Sequence, residues 1–127
     1  MSCTLRISNG KNTALLAGDI EAPQEAQLLA RKERIRADFL LAPHHGSKTS
    51  SSAEFLDAVA PSFVVVQSGY RNRFGHPAAS VMARYAERGV KVIDSPHCGA
   101  ATWQTTQPEV VRCQRAEGLR YWHHRPP

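Results

Sequence analysis

Four short apolar runs, at 13–17, 39–42, 62–67 and 90–93, each end in a polar stretch, and the first three lead into segments of helical periodicity. Strand, helix, strand in that order requires crossover connections, and crossovers join parallel strands. The helices are expected over 23–34, 51–59 and 77–88. Pro23 opens the first, which carries Ala26, Leu29 and Ala30 at helical spacing with Lys and Arg in its last turn. Ser51-Ser52-Ala53-Glu54 reads as a capping box for the second, and Pro77 and Gly89 bracket the third. Residues 3–8 alternate, Cys3, Leu5 and Ile7 against Thr4, Arg6 and Ser8, and Asn9-Gly10 supplies a hairpin turn. The first pairing is therefore antiparallel and the sheet mixed. Residues 100–104 and 109–114 read as short closing strands, and 121–127 as a loose tail.

At 127 residues, 42% hydrophobic and 21% charged, the chain fits one small globular domain. Its strongest apolar run, Phe63-Val64-Val65-Val66, is far too short to cross a bilayer. No basic and apolar leader precedes the alternating segment, so no secretory signal is expected and the chain reads as an excised piece. Cys3, Cys98 and Cys113 are widely spaced, which suits buried or incidental thiols better than a disulfide framework or a metal knuckle. Sixteen Lys and Arg against eleven Asp and Glu, net +5, favour polyanionic partners without naming one.

Chemistry-bearing residues gather at the strand ends, and in a parallel sheet those ends share one rim. Asp19 follows a strand and a glycine, where a carboxylate either binds a cation or caps the next helix. His44 and His45 follow a buried strand; one is expected to coordinate and the other to support it, unless both are ordinary surface histidines. Gly46, Ser47, Thr49, Ser50 and Ser51 lead to a helix start, where amides and hydroxyls receive phosphate oxygens or simply form a polar loop. His76, before Pro77, is either a proton donor or an ordinary cap. Arg71 and Arg73 alternate with Tyr70 and Phe74, a pattern suited to phosphate contact and base stacking or to bracing the loop. His97, His123 and His124 have no convincing partners and read as surface decoration.

The run Leu40-Leu41-Ala42-Pro43-His44-His45-Gly46-Ser47-Lys48-Thr49-Ser50-Ser51, preceded by Leu15-Leu16-Ala17-Gly18-Asp19-Ile20 and followed by 68–77, resembles the second half of the metallo-β-lactamase-like domain of the ComEC family. The likeness covers roughly 2–104 of a single domain spanning 1–127, leaving 105–127 as closing strands and tail. It implies the C-terminal half of an αββα sandwich from a metal-dependent hydrolase, a DNA nuclease, in the soluble part of a bacterial inner-membrane DNA-uptake protein acting in competence and transformation. It further implies Asp19 as a bridging metal ligand, His44 or His45 as a late ligand, and Ser47 and His76 as catalytic groups near a scissile phosphate. Tyr70, Arg71, Asn72, Arg73 and Lys48 are the expected DNA contacts. The implied cofactor is zinc or manganese, and the implied partners are DNA, the rest of the parent protein and a second copy of the chain. The family's H-x-H-x-D-H or H-x-D-x-D-H motif is absent from these residues. The chain alone is thus expected to bind metal weakly and cleave little. The competing reading is a DNA-binding or partner-binding module without catalysis.

Overall fold

The chain begins with a hairpin that sets the sheet's register. β1 (Leu5–Ser8) runs antiparallel to β2 (Thr13–Leu16), with Leu5 opposite Leu16 and Ile7 opposite Ala14. From there α1 (Ala22–Ala30), β3 (Phe39–Leu41), α2 (Ala53–Val59), β4 (Phe63–Val66), α3 (Ala79–Glu87) and β5 (Lys91–Asp94) alternate. Strands β2 to β5 are parallel, and the five-stranded order is β1-β2-β3-β4-β5. A helix α4 (Ser95–Cys98), a hairpin of β6 (Ala101–Trp103) and β7 (Val111–Cys113), and α5 (Gln114–Glu117) complete the fold. This computed structural model describes residues 2–122 and 124–127, so His123 lies outside the described residues.

Because each parallel strand is laid beside its predecessor in the same direction, right-handed crossovers place all three long helices on one face. Alternate residues of the strands, Leu15, Leu40, Val64 and Val66, meet Phe55, Leu56, Val59, Val81 and Tyr85 there in one buried core. Each fully buried apolar side chain among them contributes on the order of 2 kcal/mol. The opposite face carries two rows across the register, Leu5-Leu16-Leu41-Val65-Ile93 and Ile7-Ala14-Phe39-Phe63-Lys91. The β6–β7 hairpin covers part of it, with Trp103 stacked on Phe39 at 5.4 Å. At the β1 edge Leu5 and Ile7 remain 55% and 53% exposed.

Several boundaries differ from the sequence expectation. The first helix ends at Ala30 rather than 34: Lys32 takes a φ of 54°, and the burial of Ile35 and Ala37 turns the chain inward toward β3. The second helix is capped by Ser52, whose hydroxyl accepts from the Phe55 amide, with Ser51 outside it. The third starts at Ala79, two residues after Pro77. Helices α4 and α5 and a 3-10 turn at Pro43–Gly46 were not expected. The thiol reading fails for two cysteines: Cys98 and Cys113 form a disulfide, and only Cys3 is free among the described residues. Antiparallel pairing sets Cys113 opposite Ala101, three residues after Cys98, and the two Cα atoms lie 4.6 Å apart. The tail is tethered rather than loose, Arg115 donating to the His124 carbonyl and a His97 ring nitrogen to that of Pro127.

Candidate functional site

Three strand-end loops converge at the carboxyl rim of the sheet. Main-chain contacts staple them together: the His44 amide donates to the Gly18 carbonyl at 2.9 Å, and the Ala78 amide to the Gly46 carbonyl at 2.9 Å. Gly46 has φ 78°, and a Cβ there would meet Pro77 at 2.8 Å, so a side chain would pry the second and third loops apart. His44 and His45 both adopt left-handed backbone conformations, with φ 46° and 55°. Such conformations cost energy in residues with side chains and concentrate where a loop must aim a functional group.

The sequence-designated residues come together here. His45 Nε2 lies 3.5 Å from Asp19 Oδ1, and the His44 ring centroid is 6.3 Å from that of His45 and 6.0 Å from that of His76. Each of the paired histidines is pinned through Nδ1. That of His45 donates to the Gln67 carbonyl at 2.7 Å, and that of His44 to Glu21 Oε1 at 2.9 Å. A carbonyl or carboxylate oxygen only accepts, so both Nδ1 atoms carry the proton and both Nε2 atoms present a lone pair unless protonated. For His45 that lone pair faces the Asp19 carboxylate, an arrangement suited to a cation shared between the two.

Glu21, which the sequence reading passed over, also accepts from Thr49 Oγ1 at 2.9 Å, and Thr49 Oγ1 is 3.0 Å from Ser47 Oγ. A single carboxylate thus orders His44 and the hydroxyl pair. Its signal in the sequence is only its position two residues after Asp19. Ser50 and Ser51 are buried and bonded internally, Ser50 Oγ to the Pro43 and Ser47 carbonyls and Ser51 Oγ to Tyr85 Oη. The buried Glu25 carboxylate takes the amides of Ser51 and Ser52 at 2.6 and 2.9 Å, so these amides at the start of α2 are already occupied. Burial, with the Glu25 charge adding to it, pushes the Tyr85 hydroxyl up to about 12, against the pull of its bond to Ser51.

In the third loop Asn72 is a brace: its side chain donates to the Gly69 and His76 carbonyls and accepts from the His76 amide. Arg71 packs over the Tyr70 ring and Arg73 over Phe74, and Phe74 lies nearly parallel to His76 at 5.8 Å. Burial first, and then the neighbouring rings of His44 and His45, hold His76 below the ordinary imidazole value. It is therefore neutral near pH 7, and its Nδ1 is buried without a hydrogen-bond partner among the described residues. Lys48 is exposed beside this rim. His97 stands apart on α4, bonded to Asp94, and His124 packs against Tyr70 at 5.4 Å.

Asp19 and His45 supply two donors suited to a divalent ion, but no group of three or more His, Cys, Asp or Glu arranged to hold a metal occurs among the described residues. Among the described residues, no helix is long and apolar enough to cross a membrane.

Searched against known families, the chain matches no family model. It does resemble individual proteins over nearly its whole length. It is 35% identical over 125 residues to the uncharacterized protein YcaI of Escherichia coli, covering 97% of the chain and 17% of that protein. It is 34% identical over 127 residues to the competence protein ComA of Neisseria gonorrhoeae, covering 98% of the chain and 18% of that protein. To recombination protein 2 of Haemophilus influenzae it is 43% identical over 83 residues, 65% of the chain and 10% of that protein. The chain thus spans about a sixth of the length of the first two. On these likenesses it is a homologue of one segment of the ComEC-family competence proteins.

Proposed function

We propose that this chain supplies one half of a metal-dependent phosphodiester hydrolase site, and that it serves in the handling of DNA during its uptake by a membrane-associated competence protein. The observation that carries the reading is the pair of histidines whose Nδ1 atoms are fixed by Gln67 and Glu21, one of them turning Nε2 toward Asp19. Acceptors that fix the tautomer in this way are the usual outer shell of metal-binding histidines.

Asp19 and His45 would hold zinc or manganese, with His44 beside them, and the remaining ligands would come from a longer protein of the kind the relatives represent. Such an ion lowers the pKa of bound water and offsets the charge that develops on phosphate. The chain's own groups have separate tasks. Glu21 orients His44 and, through Thr49, the Ser47 hydroxyl; neutral His76 is placed to exchange a proton with a substrate oxygen; Arg71 and Arg73 contact phosphates once displaced from their rings. The sheet face bearing Leu5 and Ile7 would pack against a second sheet, giving the αββα sandwich of the metallo-β-lactamase fold.

Calorimetry with zinc and manganese, together with a nuclease assay on a longer homologous protein that contains the matching segment, tests the reading. The 127-residue chain should bind either ion weakly. The longer protein should bind tightly and cleave DNA, and should lose both properties when the residue matching Asp19 or His45 becomes Ala. Cleavage that survives both substitutions would refute the proposal. DNA binding by the longer protein without metal uptake would instead favour a non-catalytic DNA-binding module.

A further inference from the structure

The cation distribution is uneven in a way the site does not use. Arg31, Lys32, Arg34 and Arg36 fall within six residues in which Glu33 is the one acidic side chain, a local excess of three of the chain's five net positive charges. All four side chains are exposed, and none takes part in an ion pair among the described residues. The other arginines are engaged more often: Arg88 with Asp57, Arg112 with Glu117, Arg84 with two main-chain carbonyls. The segment has no regular structure, and Lys32 sits at φ 54°, so the cations fan out from the turn instead of lying along one helix stripe.

Its position is informative. A cleft of about 760 Å³ is lined by Asp19 and Glu21 at one end and by Arg31 at the other, with Ile20, Gln24 and Gln27 between. Helix α1, nine residues long, separates the ends by about 14 Å. Gln24 and Gln27 offer neutral amides that accept or donate and repel neither phosphate nor sugar. The acidic end lies at the rim where a cation would be held, and the basic end is the region of this groove that a polyanion would occupy unaided.

The geometry points to the 31–36 turn as a phosphate-backbone anchor for a nucleic-acid strand that runs along α1 into the Asp19–His45 rim. The inference rests on DNA being the substrate of that rim, and it adds a binding track that shares no residue with the Arg71–Arg73 loop. Because the anchor reads charge spacing alone, it takes strands of any sequence.

Fluorescence anisotropy of a labelled 20-nucleotide single strand, titrated with the full chain across a salt series, tests it. Arg31→Ala, Lys32→Ala, Arg34→Ala and Arg36→Ala combined should weaken binding at least tenfold at low salt. The combination should also lower the log-log salt slope by about 2 to 3 units, similarly for unrelated sequences. As a control for net charge, Arg31→Ala with Arg34→Ala should lose more affinity than Lys11→Ala with Arg125→Ala. Equal losses in the two pairs, or an unchanged slope in the fourfold variant, would overturn the anchor. So would retained DNA binding with loss of binding to phosphatidylglycerol vesicles, which would assign the turn to a membrane surface. Asp19→Ala should leave this binding intact, so a failed hydrolase reading and a failed anchor give different results.

Discussion

His44 and His45 show how much of one residue's role is set by its neighbours. Side by side in sequence, they differ in what holds Nδ1, a carboxylate for His44 and a main-chain carbonyl for His45. Replacing Glu21 with Ala should release the His44 ring and raise the share of the Nε2–H tautomer, seen in nitrogen-15 shifts, while His45 keeps its form. An unaltered His44 spectrum would remove Glu21 from this orienting role. His97 is shifted in the opposite direction from His76. The Pro127 carbonyl, then the Asp94 carboxylate, raise it above its ordinary 6.5. The bond to the tail is therefore fully present below 6.5 and is lost as pH rises through the raised folded value. Proton resonance of the ring should give a midpoint above 6.5, lowered by Asp94→Asn; a midpoint at or below 6.5 would contradict the contact. Asp19, His44, His45 and His76 were legible in the sequence because each follows a strand end. Glu21 and Gln67 were not, since their roles depend on a second loop arriving beside them.

Among the elements, Glu25 joins α1 to the start of α2. Fully buried, it satisfies two amides that otherwise have no partner. Glu25→Ala should destabilise the fold by about 3 kcal/mol, the cost of leaving those donors buried and unpaired, and Glu25→Gln by less because one acceptor oxygen remains. Thermal unfolding measures the difference, and equal midpoints for Glu25→Ala and the parent would show that water replaces the carboxylate. The strands were legible from their apolar runs, and the parallel pairing from the helices between them. What escaped was short or made by distant partners. Residues 95–98 and 114–117 form single-turn helices with too few residues for a period to register. The Cys98–Cys113 bond depends on a hairpin register that spacing does not reveal. Helix α1 stopped early because Ile35 and Ala37 have better burial in the core than on a fourth helical turn.

Over the whole molecule, the sheet is covered on one face by helices and on the other in part by the β6–β7 hairpin, where Trp103 stacks on Phe39, while Leu5 and Ile7 on β1 stay exposed. The uncovered strip at β1 should drive weak self-association, read by light scattering as mass that rises with concentration. Leu5→Glu with Ile7→Glu should abolish the rise with little loss of stability, because both side chains are already more than half exposed. A parent chain that stays monomeric at every concentration would show that this strip does not self-associate.

The sequential strand order also has a consequence for how substitutions combine. Since β2, β3, β4 and β5 lie side by side in chain order, their rim loops form a single file, each bonded to the next: Gly18 to His44, Gly46 to Ala78, Ser68 to Ser95. Epistasis around this rim should then decay with loop number. Changes at adjacent loops would be strongly non-additive, whereas changes at Asp19 and Ser95 would behave as independent events, leaving the far end of the file free to diverge while the Asp19 end is held constant.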